Sequence, residues 1–242
     1  MTVIIILAAG EGKRMNSDIP KVLHKVHNIP MLARVVIESQ KINPSKIIIV
    51  VGKHRDIIID TLSQYTSIEN IEFIVQENPM GTGHAIQCCK YLLLPYIQEN
   101  VLILYGDVPL IKSDTLHELA SLNSPVTIGV TYMVNPYGYG RIVKINDTFD
   151  KIIEEKDCDN IQKNIQIVNC GIYCIKAEYI YNYIMVLNNN NVSREYYLTD
   201  LIEIIKKSVN IDIDLYYFTD EKRYQIMGVN TIEQLRDVEE TI

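Results

Sequence analysis

Short apolar, β-branched runs recur along the first half of the chain, and between them apolar residues fall at helical spacing. Residues 3–7, 46–51, 71–76 and 100–105 read as strands, because a strand buried on both faces is a continuous apolar run. Residues 31–41, with Leu32, Val35 and Val36 on one side, read as a helix, as do 55–64 and 83–93. Strands that alternate with helices specify parallel pairing through right-handed crossovers, hence an α/β fold with a doubly wound sheet. The second half changes character. Strands are expected over 125–134, 142–145, 148–155 and 167–175, and helices over 178–187, 198–207 and the charged 231–240. Residues 188–191 form a polar loop. This half reads as sheet extensions and a lid over the same rim rather than an independent domain.

In a doubly wound sheet, ligands sit outside the carboxyl ends of the strands. The glycine turns fall there: Gly10 and Gly12 after the first strand, Gly81 and Gly83 after the third, Gly106 after the fourth. Glycine lets backbone approach a ligand closely and leaves N–H groups free for phosphate oxygens. Arg14 and Lys21 bring two cations to the first turn, which suits a polyphosphate. Neither G-x-x-x-x-G-K-[ST] nor G-x-G-x-x-G is present at this turn. Gln76, at a strand end before Gly81-Thr82-Gly83, offers an amide to the edge of a flat base. Asp107, in Tyr105-Gly106-Asp107, offers a hard oxygen suited to Mg²⁺, and Asn230 in Gly228-Val229-Asn230 offers a second. Glu154 and Asn169 supply a carboxylate and an amide for sugar hydroxyls.

Composition narrows the function. The chain has 242 residues, 48% hydrophobic and 22% charged, with net charge −7. Its acidity and the lack of a basic tract argue against nucleic-acid or membrane-surface binding. No apolar run approaches the about 20 residues of a membrane span, and the apolar start lacks the basic region of a signal peptide. A cytoplasmic protein is expected. Five cysteines, with Cys88 and Cys89 adjacent and no C-x-x-C pair, fit a reducing compartment. Cys170 and Cys174 read as small buried hydrophobes. The five histidines are scattered and receive no catalytic role.

Taken together, L-A-A-G-E-G-K-R-M, P-K-V-L-H-K-V, G-T-G-H-A, L-Y-G-D-V-P-L, G-Y-G-R-I, E-E-K-D, N-C-G-I-Y, E-Y-Y-L-T-D and G-V-N resemble the N-acetylglucosamine-1-phosphate uridyltransferase domain of the bacterial bifunctional enzyme. They occur in that family's order and spacing over essentially the whole chain. The resemblance implies a Rossmann-like, mixed but mostly parallel sheet of the nucleotide-diphospho-sugar transferase type, with a small β extension over the sugar site. It also implies residue roles. Leu7, Ala8, Ala9 and Gly10 match the nucleotide-binding turn, and Arg14 and Lys21 the cations of the triphosphate site. Gln76, Gly81 and Thr82 match the uracil-side contacts. Tyr105, Gly106 and Asp107 match the segment carrying one metal ligand, with Asn230 its partner. Gly140, Glu154 and Asn169 match contacts to the amino sugar, while Tyr197 and Thr199 fall in the segment that closes around the N-acetyl group. Four positions depart from the family: Lys13 and Cys170 stand where threonine is usual, and Ser193-Arg194 replaces glutamine-glycine.

The expectation is therefore a single nucleotidyltransferase domain over residues 1–242. Residues 1–110 form its nucleotide-binding half, 111–230 its sugar-binding half and 231–242 its C-terminal helix. With Mg²⁺ it would make UDP-N-acetylglucosamine and pyrophosphate from UTP and N-acetylglucosamine 1-phosphate. Two alternatives are carried: the same chemistry on glucose 1-phosphate or another phosphorylated acceptor, and a catalytically silent sugar-nucleotide sensor. No tandem hexapeptide repeat is present, so no left-handed β-helix, no acetyltransferase activity and no trimer built by it are expected; a monomer is.

Overall fold

A computed structural model describes residues 1–10, 12–15, 17 and 19–242, without the side chain of Lys13. Glu11 of the first glycine turn and the additional charge expected at Lys13 therefore lie outside the described atoms. The first half runs β1 (Thr2–Ala8), β2 (Lys25–Val26), β3 (Ile29–Pro30), α1 (Met31–Gln40), β4 (Lys46–Val51), α2 (Arg55–Leu62), β5 (Ile71–Val75), α3 (Thr82–Cys89) and β6 (Asn100–Tyr105). The second half runs α4 (Ser113–Ser121), β7 (Val126–Tyr132), β8 (Arg141–Ile145), β9 (Thr148–Ile153), β10 (Ile167–Lys176), α5 (Ala177–Tyr183), α6 (Leu198–Val209), β11 (Asp214–Tyr217) and α7 (Ile232–Glu240).

The main sheet has the order β11-β7-β10-β6-β1-β4-β5, with β8 paired to β10 and β9 to β8. Strands β6, β1, β4 and β5 are mutually parallel. Strand β10 is antiparallel to both β6 and β7, and β11 is parallel to β7. The second half thus continues the sheet of the first, as a mixed, mostly helix-covered layer.

The apolar run of β1 explains why it is central. Val3, Ile5 and Leu7 enter the core on one face, with Ile86 of α3, Ile180 of α5 and Leu201 of α6. Ile4, Ile6 and Ala8 enter the core on the other, with Val35 of α1, Ile58 of α2 and Leu116 of α4. Successive side chains point to opposite faces of a strand, so a strand covered on both sides cannot afford a polar alternate. Burying each such side chain stabilises the fold by about 1.5–3 kcal/mol, and Ile5→Ala is expected to cost about 2–5 kcal/mol. Among the described residues no helix is long and apolar enough to cross a membrane.

Some boundaries differ from the sequence expectation. The helix expected over 83–93 ends as α-helix at Cys89 and continues as a 3₁₀ helix, Lys90–Tyr96, that contains Pro95; proline has no N–H to donate and restrains the residue before it. The strand expected over 148–155 stops at Ile153, and Glu155–Asp157 turn into a 3₁₀ helix, which carries Glu154 off the sheet. The helix expected over 178–187 is α-helical only to Tyr183 and ends in a 3₁₀ turn at Ile184–Val186. Helix α4 and strand β11 were not delimited from sequence. Only Leu116 and Leu119 give α4 a buried apolar spacing, and β11 is an edge strand of four residues, Asp-Leu-Tyr-Tyr, none of them fully buried.

Candidate active site

The strand ends are stitched to one another before any side chain is considered. Gly106 N–H donates to Leu7 O at 2.9 Å, tying the end of β6 to the end of β1. Gln76 N–H donates to Val51 O at 2.8 Å, tying the segment after β5 to β4. Val229 N–H donates to Asp107 O at 2.9 Å, which brings Asn230 beside Asp107.

Two clefts open along this rim. One, of about 360 Å³, is lined by Leu7, Ala8, Ala9, Gly10, Lys21, Gln76, Gly81, Thr82, Tyr105, Asp107 and Asn230, together with Glu195. The other, of about 410 Å³, is lined by Arg14, Tyr105, Asp107, Gly140, Glu154, Asn169 and Asn230, together with Tyr139, Cys170 and Gln234. The clefts share Tyr105, Asp107 and Asn230. A molecule in one cleft therefore meets a molecule in the other at that wall.

The cations converge on the same wall. Lys21 ion-pairs with Asp107, both side chains being largely buried. Its Nζ also donates to Asn230 Oδ1 at 2.9 Å, and Arg14 Nη2 donates to the same oxygen at 2.8 Å. The Asn230 backbone N–H is held by Gln234 Oε1 at 2.7 Å, so α7 fixes the position of this amide.

The glycine turn of the first cleft is a close-packed joint. Gly81 has φ 105°, and a Cβ there would lie 2.6 Å from Tyr196 O. Gly83 N–H donates to Tyr196 O at 2.8 Å, and Tyr196 N–H donates to Met80 O at 2.8 Å. Thr82 Oγ1 accepts from Leu198 N–H at 3.1 Å, satisfying one of the first N–H groups of α6. Within the joint Gln76 is almost fully buried. Its Nε2 donates to Gly81 O at 3.1 Å and lies 2.9 Å from His84 Nδ1.

The second cleft is shaped by a bulge. The register of β10 against β7 shifts between Asn169 and Tyr173, and Gly171 has φ 74°. Asn169 holds the bulge: its Oδ1 accepts from Gly171 N–H at 3.1 Å and its Nδ2 donates to Tyr173 Oη at 2.7 Å. Its own N–H donates to Gly140 O at 2.9 Å, bringing those two residues together. Arg141, fully buried, ion-pairs with Glu155, whose Oε2 also accepts from Gly138 N–H at 3.1 Å. This pair anchors the loop over the cleft.

Thr199 and Tyr197 do not line either cleft. Thr199 Oγ1 donates to Glu154 Oε1 at 2.9 Å, and Tyr197 Oη donates to Asp157 Oδ2 at 3.1 Å. Gly106 likewise stands behind the wall, where a Cβ would lie 3.0 Å from Leu32 Cδ1. Burial raises the Glu154 carboxyl above its ordinary range, and the Asp157 and Glu195 carboxylates add to the shift, outweighing the Thr199 hydrogen bond. Burial likewise pushes the Tyr105 phenol and the Cys170 thiol up, so both stay protonated near neutrality. Neither is an activated nucleophile; the junction offers cations and oxygen ligands instead.

Sequence reasoning missed His84, which touches Gln76, and Glu195 as a lining residue. The His84 contact is local, eight positions along the chain, but nothing in a G-T-G-H string says which way the imidazole turns.

A doubly wound sheet whose carboxyl rim holds two joined clefts with cations at the junction defines a nucleotidyltransferase. Residues 4–154 match the MobA-like NTP transferase domain, and the chain belongs to that family. It is 41% identical over 241 residues to the probable UDP-N-acetylglucosamine pyrophosphorylase of Acanthamoeba polyphaga mimivirus, an alignment covering 98% of this chain and 94% of that protein. It is 39% identical over 242 residues to the bifunctional protein GlmU of Francisella tularensis subsp. novicida, covering 98% of this chain and 50% of the relative. The chain thus spans about half the length of that bacterial relative. Among solved structures, a protein named as a glucose-1-phosphate thymidylyltransferase from Bacillus anthracis aligns at TM-score 0.76 and 18% identity, covering 100% of this chain and 95% of that one. A UDP-glucose pyrophosphorylase complexed with UDP-glucose aligns at TM-score 0.74 and 15% identity, covering 100% and 98%. At these identities the two structures speak to the fold alone.

Proposed function

We propose that the chain is a uridylyltransferase that makes UDP-N-acetylglucosamine and pyrophosphate from UTP and N-acetylglucosamine 1-phosphate. The observation that carries the reading is the shared wall: Tyr105, Asp107 and Asn230 belong to both clefts, with Lys21 and Arg14 converging on it. The nucleotide would take the cleft of Gln76 and Gly81, and the sugar phosphate the cleft of Gly140, Glu154 and Asn169. An oxygen of the sugar phosphate would attack the α-phosphorus, forming the new P–O bond as the α–β phosphoanhydride bond breaks and pyrophosphate leaves in line. No proton has to move and no protein nucleophile is needed. The chain contributes positioning and charge. Lys21 and Arg14 would exchange the Asp107 carboxylate and Asn230 amide for phosphate oxygens.

That exchange also supports Mg²⁺ as the cofactor. Asp107 and Asn230 both reach the single Lys21 ammonium, so their oxygens already converge on one cationic point. One carboxylate and one amide oxygen suit Mg²⁺, which draws its remaining ligands from water and substrate phosphates. The ion would supply neutralisation of the charge on the α-phosphate and the leaving pyrophosphate.

The N-acetylated acceptor is favoured by the 41% identity, over 98% of the chain, to the viral relative of that name. Glucose 1-phosphate is the second reading, favoured by Cys170 in the wall of the acceptor cleft. Pyrophosphate release with Mg²⁺ and UTP, offered both sugar phosphates in parallel, separates them. Faster turnover of N-acetylglucosamine 1-phosphate is expected. Preference for glucose 1-phosphate overturns the acceptor, and release with neither, while UTP still binds, overturns the reaction.

A further inference from the structure

We infer that His84 is a positioning residue: together with the Gly81 carbonyl it fixes which way the Gln76 amide faces and so sets the base that the first cleft accepts. The inference rests on the reading of that cleft as the UTP site. The argument is one of hydrogen-bond polarity. Gly81 O can only accept, so the Gln76 atom facing it at 3.1 Å must be the amide nitrogen. That nitrogen carries two hydrogens. The second points at His84 Nδ1, 2.9 Å away, so Nδ1 is the acceptor and the imidazole proton sits on Nε2. Both Gln76 donors are then engaged within the protein. Its Oε1 has no partner among the described residues, and Gln76 lines the cleft. The polar atom left for a ligand is an acceptor alone.

Such a site distinguishes bases. Uracil presents N3–H, a donor, to an acceptor, whereas cytosine presents a lone pair at N3 and would leave two acceptors opposed. A site whose polar group is left unpaired by the wrong ligand discriminates by about 100-fold or more. His84 is itself held in place. It lies in the first turn of α3, next to Gly83, whose N–H is bonded to Tyr196 O at 2.8 Å, and its ring lies 6.2 Å from that of Tyr196. Removing the Nδ1 acceptor leaves the amide held by the Gly81 carbonyl alone, so it can turn its second hydrogen toward the base, and the discrimination falls.

The test is the ratio of kcat/KM for UTP over CTP in the full chain, for wild type, His84→Phe and His84→Asn. Phenylalanine keeps a ring but has no acceptor; the asparagine Oδ1 restores one near Nδ1. The wild type is expected to prefer UTP by about 100-fold. His84→Phe should lose at least about tenfold of that ratio and raise KM for UTP, with KM for the sugar phosphate within about twofold. His84→Asn should keep most of the ratio. If His84→Phe does not fold, His84→Ala reads the same ratio. A wild type without preference for UTP overturns the uridine reading and this inference together. A wild type that prefers UTP, with His84→Phe unchanged or His84→Asn as impaired as His84→Phe, overturns the role of His84 alone.

Discussion

Gly81→Ala and Gly10→Ala form a pair of perturbations that separates folding from ligand binding. Gly81 has φ 105° and ψ 172°, a region open essentially to glycine alone, where a side chain costs about 1–3 kcal/mol. Its Cβ would also lie 2.6 Å from Tyr196 O and 2.9 Å from Glu195 Cβ. Backbone must therefore move. The movement strains two hydrogen bonds, Gly83 N–H to Tyr196 O and Tyr196 N–H to Met80 O, both 2.8 Å, each contributing about 1 kcal/mol. The sum is a destabilisation of about 3–5 kcal/mol. Gly10 differs: among the described residues a Cβ there meets nothing within 4 Å, yet the residue lines the first cleft. Gly10→Ala is expected to leave stability within about 0.5 kcal/mol while raising the Kd for UTP about tenfold or more by intruding on the ligand. Urea unfolding followed by circular dichroism reads the first quantity and calorimetric UTP titration the second. A Gly81→Ala loss below about 1 kcal/mol would refute the packing argument, and unchanged UTP binding by Gly10→Ala would refute the placement of phosphate against that turn.

Three further outcomes are expected. Arg14→Ala should lower kcat by about 100-fold or more, the range for loss of one charge-stabilising group; a loss of tenfold or less removes Arg14 from the chemistry. Asn169→Ala should raise KM for the sugar phosphate far more than KM for UTP, and the reverse ranking would move Asn169 to the nucleotide side. Asp200 contributes to the pH dependence of stability. Its carboxyl is pushed up to about 6, first by burial and then by the Glu203, Glu154 and Asp157 carboxylates. The unfolded value is about 3.9, lower than the folded one, so stability falls as pH rises from about 4 to about 6 and then levels. Asp200→Asn should accordingly stabilise by about 1 kcal/mol at pH 7.5, after solvent screening is allowed for, and by almost nothing at pH 4. An equal gain at both pH values in thermal unfolding would contradict the assignment.

Much of the molecule is legible without coordinates because its signals are local. The runs in β1, β4 and β6 mark strands buried on two faces, and burial on two faces requires helices on both sides. The glycine turns at those strand ends mark the rim, and Arg14 lies two positions and Lys21 nine positions after Gly12 of the first. What is weak in local pattern stayed hidden. Helix α4 has Leu116 and Leu119 as its apolar signal, and the exit of Glu154 from β9 follows from tertiary packing that no alternation of residue types encodes.

The sequence by itself determined the class of sheet, the rim of it on which the clefts open, and the residue types available there, since hydrophobic period and glycine placement act over a few residues. Only the tertiary structure decided who faces whom. Asn230 lies 216 positions from Arg14 and 209 from Lys21, yet accepts from both. Thr199 reaches Glu154 across 45 positions, standing behind the wall of the second cleft. The polarity of Gln76 follows from the Gly81 carbonyl and the His84 ring meeting one nitrogen. Each of these pairings is set by the crossover topology and the packing of loops on the rim, which place atoms distant in sequence at hydrogen-bond range.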